Sequence, residues 1–158
     1  MLLEKLTGIP TSSACWDCID GEVKAYPLKK LKSGELVPKE TVAITMMNPS
    51  DLESQSWETT RLKTKISNIL FVAYLREGDN VTFKFLQRLQ ATDPSDSQLY
   101  ETFANDYQTI SSIWNETKTI TGKTGKYIQS RTKGQGKDAP KTRAYYFRPI
   151  VMKMLKKH

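Results

Sequence analysis

Histidine is nearly missing from this chain: the single one, His158, is the last residue. Cysteine is scarce as well, limited to Cys15 and Cys18 in the tetrad Cys15-Trp16-Asp17-Cys18. A structural zinc site normally takes four ligands, and these two sulfurs have no partners for one. No helix start follows Cys18, as a thioredoxin-like redox pair would require, so both cysteines read as reduced, packed thiols. No stretch approaches the ~20 consecutive apolar residues of a membrane span. The opening MLLEKLTGIP lacks the basic end, long apolar run and small-residue cleavage site of a signal peptide. Repeats and low-complexity tracts are absent. Zinc-ribbon, secreted and membrane-spanning classes are thereby set aside, and a cytoplasmic protein without membrane contact is the expectation.

What is present fits one domain, residues 1–158. The chain is long enough to bury a core without staples, and its hydrophobic share of 38% is ordinary for a globular protein. Charge is unevenly spread. Residues 118–158 hold 12 Lys or Arg and one acid, Asp138, whereas residues 1–117 hold 12 Lys or Arg and 16 Asp or Glu. A basic end suits a polyanion, because Lys and Arg on phosphates release condensed counterions. Tyr127, Tyr145, Tyr146 and Phe147 lie among those cations, where a merely solvated tail would have little use for them.

Hydropathy patterning predicts a mixed α/β domain with a central β-sheet flanked by helices. Residues 1–7 read as a helix end, and Gly21–Leu28 alternates as a strand. Ser33-Gly34-Glu35 is a turn, and Thr41–Met47 is a buried strand broken by Asn48-Pro49-Ser50-Asp51. Trp57–Asn68 reads as a short helix. Ile69–Leu75 (ILFVAYL) is apolar at nearly every place, as a central strand should be, and a turn at residues 77–80 leads into the alternating Val81–Leu89. Asp93-Pro94-Ser95-Asp96 caps a long helix, 97–117, with Leu99, Phe103, Tyr107, Ile110 and Trp114 on one stripe. Two extended pieces, Tyr127–Arg131 and Arg143–Phe147, flank a polar loop, and Pro149 opens a terminal helix, 150–157.

The chemistry concentrates in Asp17-Cys18-Ile19-Asp20-Gly21-Glu22-Val23-Lys24. On a strand Glu22 and Lys24 point to the same side, and an acid from the preceding turn can join them. Converging carboxylates suit a hard cation such as Mg²⁺. A lysine beside them can orient a water held there and offset charge on a phosphorus in the transition state. Phosphodiester hydrolysis needs those parts, because its substrate is anionic and repels a nucleophile. Taken alone, an acid followed by E-x-K more often decorates the solvent face of an edge strand.

Three separated blocks, in order, carry a resemblance to a known family. Asp17–Leu28 resembles the D-x(n)-E-x-K strand of MutH-type endonucleases and their GATC-cutting restriction-enzyme relatives, within the PD-(D/E)xK superfamily. The Asp17-to-Glu22 spacing is similar to that of the restriction branch. In the MutH spacing Cys15 would fall where the Asp belongs, and Asp17 is preferred to Asp20. Ser56-Trp57-Glu58-Thr59-Thr60, then Lys65 and Ile69-Leu70-Phe71, resembles the family's W-E-T helix, its second active-site lysine and the next strand. Gly125-Lys126-Tyr127-Ile128-Gln129-Ser130-Arg131-Thr132-Lys133 resembles its base-reading strand and loop, and Arg143-Ala144-Tyr145-Tyr146-Phe147-Arg148 its aromatic strand near DNA.

The resemblance implies a restriction-endonuclease-like fold and a Mg²⁺-dependent endonuclease. Asp17 and Glu22 would be the metal ligands, with Lys24 and Lys65 at the scissile phosphate and Glu4 as a further acid. Gln129, Arg131, Lys133, Arg143 and Tyr146 would face double-stranded DNA, Tyr146 near the adenine whose methylation matters. Arginine can fork onto guanine O6 and N7. The enzyme would act as a monomer or a transient dimer on DNA, and a repair role would add an activating mismatch-repair protein. The family usually has sequence before the position of Met1, so an N-terminal segment is expected to be missing. Thr132 stands where MutH has proline, which alters the arrangement of base contacts. Two other readings compete. A catalytically idle MutH-like effector domain would bind DNA only, yet its expected mark, loss of the acidic triad, is not seen. An RNA-binding module leaves the acids unexplained.

Overall fold

The computed structural model describes residues 21–133 and 142–158. Its strands are β1 (Glu22–Lys30), β2 (Leu36–Pro38), β3 (Val42–Met47), β4 (Asn68–Glu77), β5 (Asn80–Gln90), β6 (Ile128–Lys133) and β7 (Thr142–Phe147). The helices are α1 (Pro49–Ser54), α2 (Arg61–Lys65), α3 (Ser97–Thr117) and α4 (Pro149–Met154), with a 3₁₀ turn at Pro94–Asp96. The class is mixed α/β. A four-stranded mixed sheet runs in the order β2-β1-β4-β5, with β1 and β4 parallel and the other pairs antiparallel. β3, β7 and β6 do not join it; they form a second, antiparallel sheet. Hydropathy along one chain reports which residues are buried, not which strand each one pairs with, so this division is visible only in three dimensions.

One core serves both sheets. Tyr26, Phe71, Phe103 and Phe147 are at most 1% exposed. Phe71 of the first sheet meets Phe147 of the second edge to face at 5.8 Å, and Phe103 of α3 lies 5.6 Å from the same ring. Such aromatic pairs add about 0.5–1.5 kcal/mol beyond their area burial. β4 lies between β1 and β5, and its apolar run Ile69–Leu75 buries Ile69, Phe71, Val72, Ala73 and Leu75 in the core. α3 buries Leu99, Phe103, Tyr107 and Ile110 along the expected stripe and ends at Lys118, whose φ of 53° stops the helix.

Four boundaries depart from the hydropathy reading, each for a local reason. The helix expected over Trp57–Asn68 is only Arg61–Lys65: Thr60 is extended, and its hydroxyl accepts the Leu62 N–H, so the helix begins there. Asn48 does end β3, but it also caps α1 by accepting the Ser50 N–H. Asp96 is the N-cap of α3, but its side chain makes no capping bond. Asp93 caps the 3₁₀ turn through the Ser95 N–H, while Asp96 reaches back to the Gln90 N–H at 2.9 Å. The terminal helix stops at Met154, after which His158 exchanges two backbone hydrogen bonds with Leu86 of β5. Among the described residues no helix is long and apolar enough to cross a membrane.

Candidate functional site

The parallel register sets the site. Glu22 opens β1 opposite Ile69 of β4, so the residues just before β4 arrive beside the start of β1. Those residues end α2, and Lys65 is its last member. The Lys65 Nζ donates to Glu22 Oε1 at 2.5 Å, with the two side chains only 12% and 2% exposed. Lys63–Glu58 and Lys118–Glu53, by contrast, pair at the surface. Gly21 permits the approach: a Cβ there would lie 2.6 Å from the Asn68 carbonyl oxygen. A larger residue would push the start of β1 away from β4. Tyr100 of α3 holds this same C-terminal end of α2, its hydroxyl donating to the Ile66 carbonyl at 2.5 Å.

Lys24 follows Glu22 on the same face of β1. Its Nζ reaches the Ile44 carbonyl of β3 at 3.4 Å. It also lines a cavity of about 620 Å³ between the two sheets, with Tyr26, Glu40, Thr41, Arg131 and Tyr146. Glu22 lines a different cavity of about 390 Å³, with Gly21, Asn68, Arg88 and His158. Val23 borders both. Glu22 and Lys24 thus share a face of β1 but line different cavities, the smaller one at the start of the strand and the larger cleft further along it.

Strand alternation sorts the residues expected to face DNA. In the β6–β7 register Gln129 is opposite Tyr146, Arg131 is opposite Ala144 and Thr132 is opposite Arg143. Gln129, Arg131, Lys133 and Tyr146 thus share one face, and Arg143 takes the other with Ser130 and Thr132. Arg131 is exposed; its Nη1 donates to Thr41 Oγ1 at 3.2 Å, and its guanidinium sits 6.0 Å from the Tyr146 ring centre. Lys133 is exposed and Gln129 is buried. Arg143 is turned onto β6, where Nε donates to Ser130 Oγ at 2.8 Å and Nη2 to the Ser130 carbonyl at 3.0 Å. Burial lowers its guanidinium pKa from the usual value.

Glu4 and Asp17, like Cys15 and Cys18, lie outside the described residues. Among the described residues no group of three or more His, Cys, Asp or Glu gathers at one place. Sequence reasoning missed Thr41, Glu40 and Asp106. Nothing local marks the first two, which reach the cleft only through the fold. Asp106 carries a legible sign: it is an acid beside Tyr107 on the apolar stripe of α3, and it is only 5% exposed. Its carboxylate accepts the backbone N–H groups of Lys126, Tyr127 and Ile128 at 2.7–2.9 Å, which fixes the entry to β6.

A mixed sheet with helices packed on it, E-x-K on a strand parallel to its neighbour and a cleft between the two sheets fit the restriction-endonuclease-like fold. The family model described as DNA mismatch repair enzyme MutH matches residues 13–118. The chain belongs to the MutH family. Membership places it among DNA-binding endonucleases of mismatch repair or restriction, a class of hydrolases. The matched span includes Glu22, Lys24 and Lys65 and ends before β6 and β7. A comparison with curated proteins found no match.

Proposed function

We propose that the chain is a Mg²⁺-dependent, site-specific DNA endonuclease of the cytoplasm, cutting double-stranded DNA at GATC as a restriction or repair nicking enzyme. The observation that carries this reading is the Lys65–Glu22 pair, sunk at the start of β1 two residues from the lysine that lines the cleft. Removing two charges from water costs several kcal/mol per ion, so a buried pair is a poor device for stability. Its position beside a cationic cleft favours chemistry.

The donor chemistry fits a hard cation. Glu22 offers carboxylate oxygen, which suits Mg²⁺, and Asp17 precedes it by five residues; these two would hold the ion, with Glu4 as a further acid. When bound, Mg²⁺ supplies Lewis acidity and lowers the pKa of water. The chain's own groups do the rest. Lys24 and Lys65 bring ammonium groups that offset charge growing on the phosphate oxygens. Arg131, with Thr41 and Tyr146 behind it, presents a forked donor toward base edges. Lys133 would add a phosphate contact, Gln129 and Arg143 would back the strand, and the Tyr146 ring would sense a methyl group on adenine. The short Asp17-to-Glu22 spacing sides with restriction, and the repair role would need an activating partner protein. A palindromic site would be cut by a transient dimer or by two successive nicks.

Plasmids with and without GATC, in unmethylated, hemimethylated and fully methylated forms, test this with Mg²⁺ or EDTA. Cleavage is expected only with Mg²⁺ and only where GATC is present, with methylation changing the rate. Tight GATC binding without cutting would support the idle effector domain, and equal cutting of both plasmids would reject the site assignment.

A further inference from the structure

Asp106 is a carboxylate buried in the middle of α3, and among the described residues no Lys or Arg pairs with it. Its charge is met by peptide groups alone: Oδ1 accepts Lys126 N–H at 2.8 Å, and Oδ2 accepts Tyr127 N–H at 2.7 Å and Ile128 N–H at 2.9 Å. Such charge-assisted bonds are roughly twice as strong as neutral ones. The opposite polarity of the same turn is held by Arg148. Its Nε donates to the Gly125 carbonyl at 3.0 Å, and Nη2 donates to those of Gly122 and Thr124 at 2.9 and 3.3 Å. Gly125 has a φ of +93°, and a Cβ there would lie 1.9 Å from the Ile128 oxygen. An anion on the N–H side and a cation on the carbonyl side leave the turn one conformation.

That turn feeds β6 at Ile128, three residues before Arg131. The helix face that holds it also holds the hydrolytic side of the molecule. Tyr100 lies six residues before Asp106, about 9 Å along the axis at 1.5 Å per residue, and it binds the Ile66 carbonyl next to Lys65. Phe103, between them, packs on Tyr100 at 5.3 Å and on Tyr127 at 6.3 Å. One rigid helix therefore touches both the segment ending in Lys65 and the strand carrying Arg131.

We propose that Asp106 is a positioning residue for sequence discrimination: by tying the 122–128 turn to α3, it sets the base-reading strand against the Glu22–Lys65 pair. The inference rests on the site-specific nuclease reading above. A purely structural anchor would lower stability and weaken every DNA complex alike, whereas a positioning residue affects the preferred site selectively.

The test uses the full chain and Asp106→Asn, which keeps one acceptor oxygen. Amide hydrogen exchange is compared across residues 126–131 and across β4. Binding is measured with Ca²⁺ in place of Mg²⁺, on a GATC duplex and on a duplex with the four bases shuffled. Exchange is expected to quicken in 126–131 and hold steady in β4. The GATC-to-shuffled affinity ratio should fall by about tenfold, the discrimination of one good base contact, while affinity for the shuffled duplex stays within about twofold of wild type. A folded variant with a loosened turn and an unchanged ratio overturns the proposal, as does an equal loss on both duplexes. A wild-type protein with no preference between them overturns the site-specific reading, and this proposal with it. Should Asp106→Asn fail to fold, Arg148→Lys loosens the same turn from its carbonyl side and is judged by the same two readouts.

Discussion

Glu22 and Lys65 are separated by 43 residues in sequence and 2.5 Å in space, and the energetics of that contact are lopsided. Breaking a buried pair from one side leaves a charge without its counterion, which costs about 3–5 kcal/mol, whereas removing both charges is often close to neutral. Lys65→Met should therefore destabilise the fold by about 3 kcal/mol in urea unfolding, and adding Glu22→Gln should restore much of that loss. A double variant no more stable than Lys65→Met would mean the two side chains do not act as a pair. In the sequence Lys65 is singled out only through the resemblance of the W-E-T block. By periodicity alone it is a helix lysine like Lys63, which pairs with Glu58 at the surface. The E-x-K spacing did show that Glu22 and Lys24 share a face. That Glu22 faces a pocket and Lys24 a cleft depends on where β3 and β4 pass, which no local pattern encodes.

Among elements, α3 is the organiser, and two of its tethers, beside Asp106, are tyrosine hydroxyls. Tyr100 donates to the Ile66 carbonyl after α2, and Tyr107 donates to the Gln55 carbonyl after α1 at 2.8 Å. Across the sheet the Tyr26 hydroxyl donates to Gln87, whose amide in turn donates to the Met152 and Leu155 carbonyls at the C-terminal helix. Burial pushes the Tyr26 phenol from 10.0 up to about 12 and raises Tyr100, Tyr107 and Tyr145 as well. A raised phenol keeps its proton in the fold while the unfolded chain has lost it. Its stabilisation is complete below pH 10 and fades as pH climbs toward 12. Thermal midpoints should accordingly fall between pH 10 and 12, and Tyr26→Phe should make that fall shallower; a slope unaltered by the substitution would contradict the assignment. α3 and β4 were legible in sequence because each carries a regular pattern, one at helical spacing and one as a near-continuous apolar run. The helix expected at 57–68 was overstated because the apolar spacing of Leu62, Ile66 and Ile69 continues across a change from helix to strand. The capping hydroxyl of Thr60 and the strand start at Asn68 set the true limits.

At the scale of the whole molecule, two sheets share one core yet leave a cleft between them, with Lys24 on one wall and Arg131 and Tyr146 on the other. The cations of residues 118–158 were plain in the sequence, as was their suitability for a polyanion. The fold adds a division of labour among them that composition could not show. Arg131 and Lys133 face outward, Arg143 is turned onto β6, and Arg148 locks a turn. A duplex delivered to this cleft would be held by phosphate contacts and cut only if the buried carboxylate can work beside it, so binding and hydrolysis should separate cleanly. The decisive measurement pairs DNA affinity with Mg²⁺-dependent cleavage of a GATC duplex for wild type and Glu22→Ala. Affinity within about threefold of wild type, since phosphate contacts carry most of it, together with complete loss of cleavage is the predicted result. Cleavage by Glu22→Ala at the wild-type rate would place the hydrolytic centre elsewhere in the molecule.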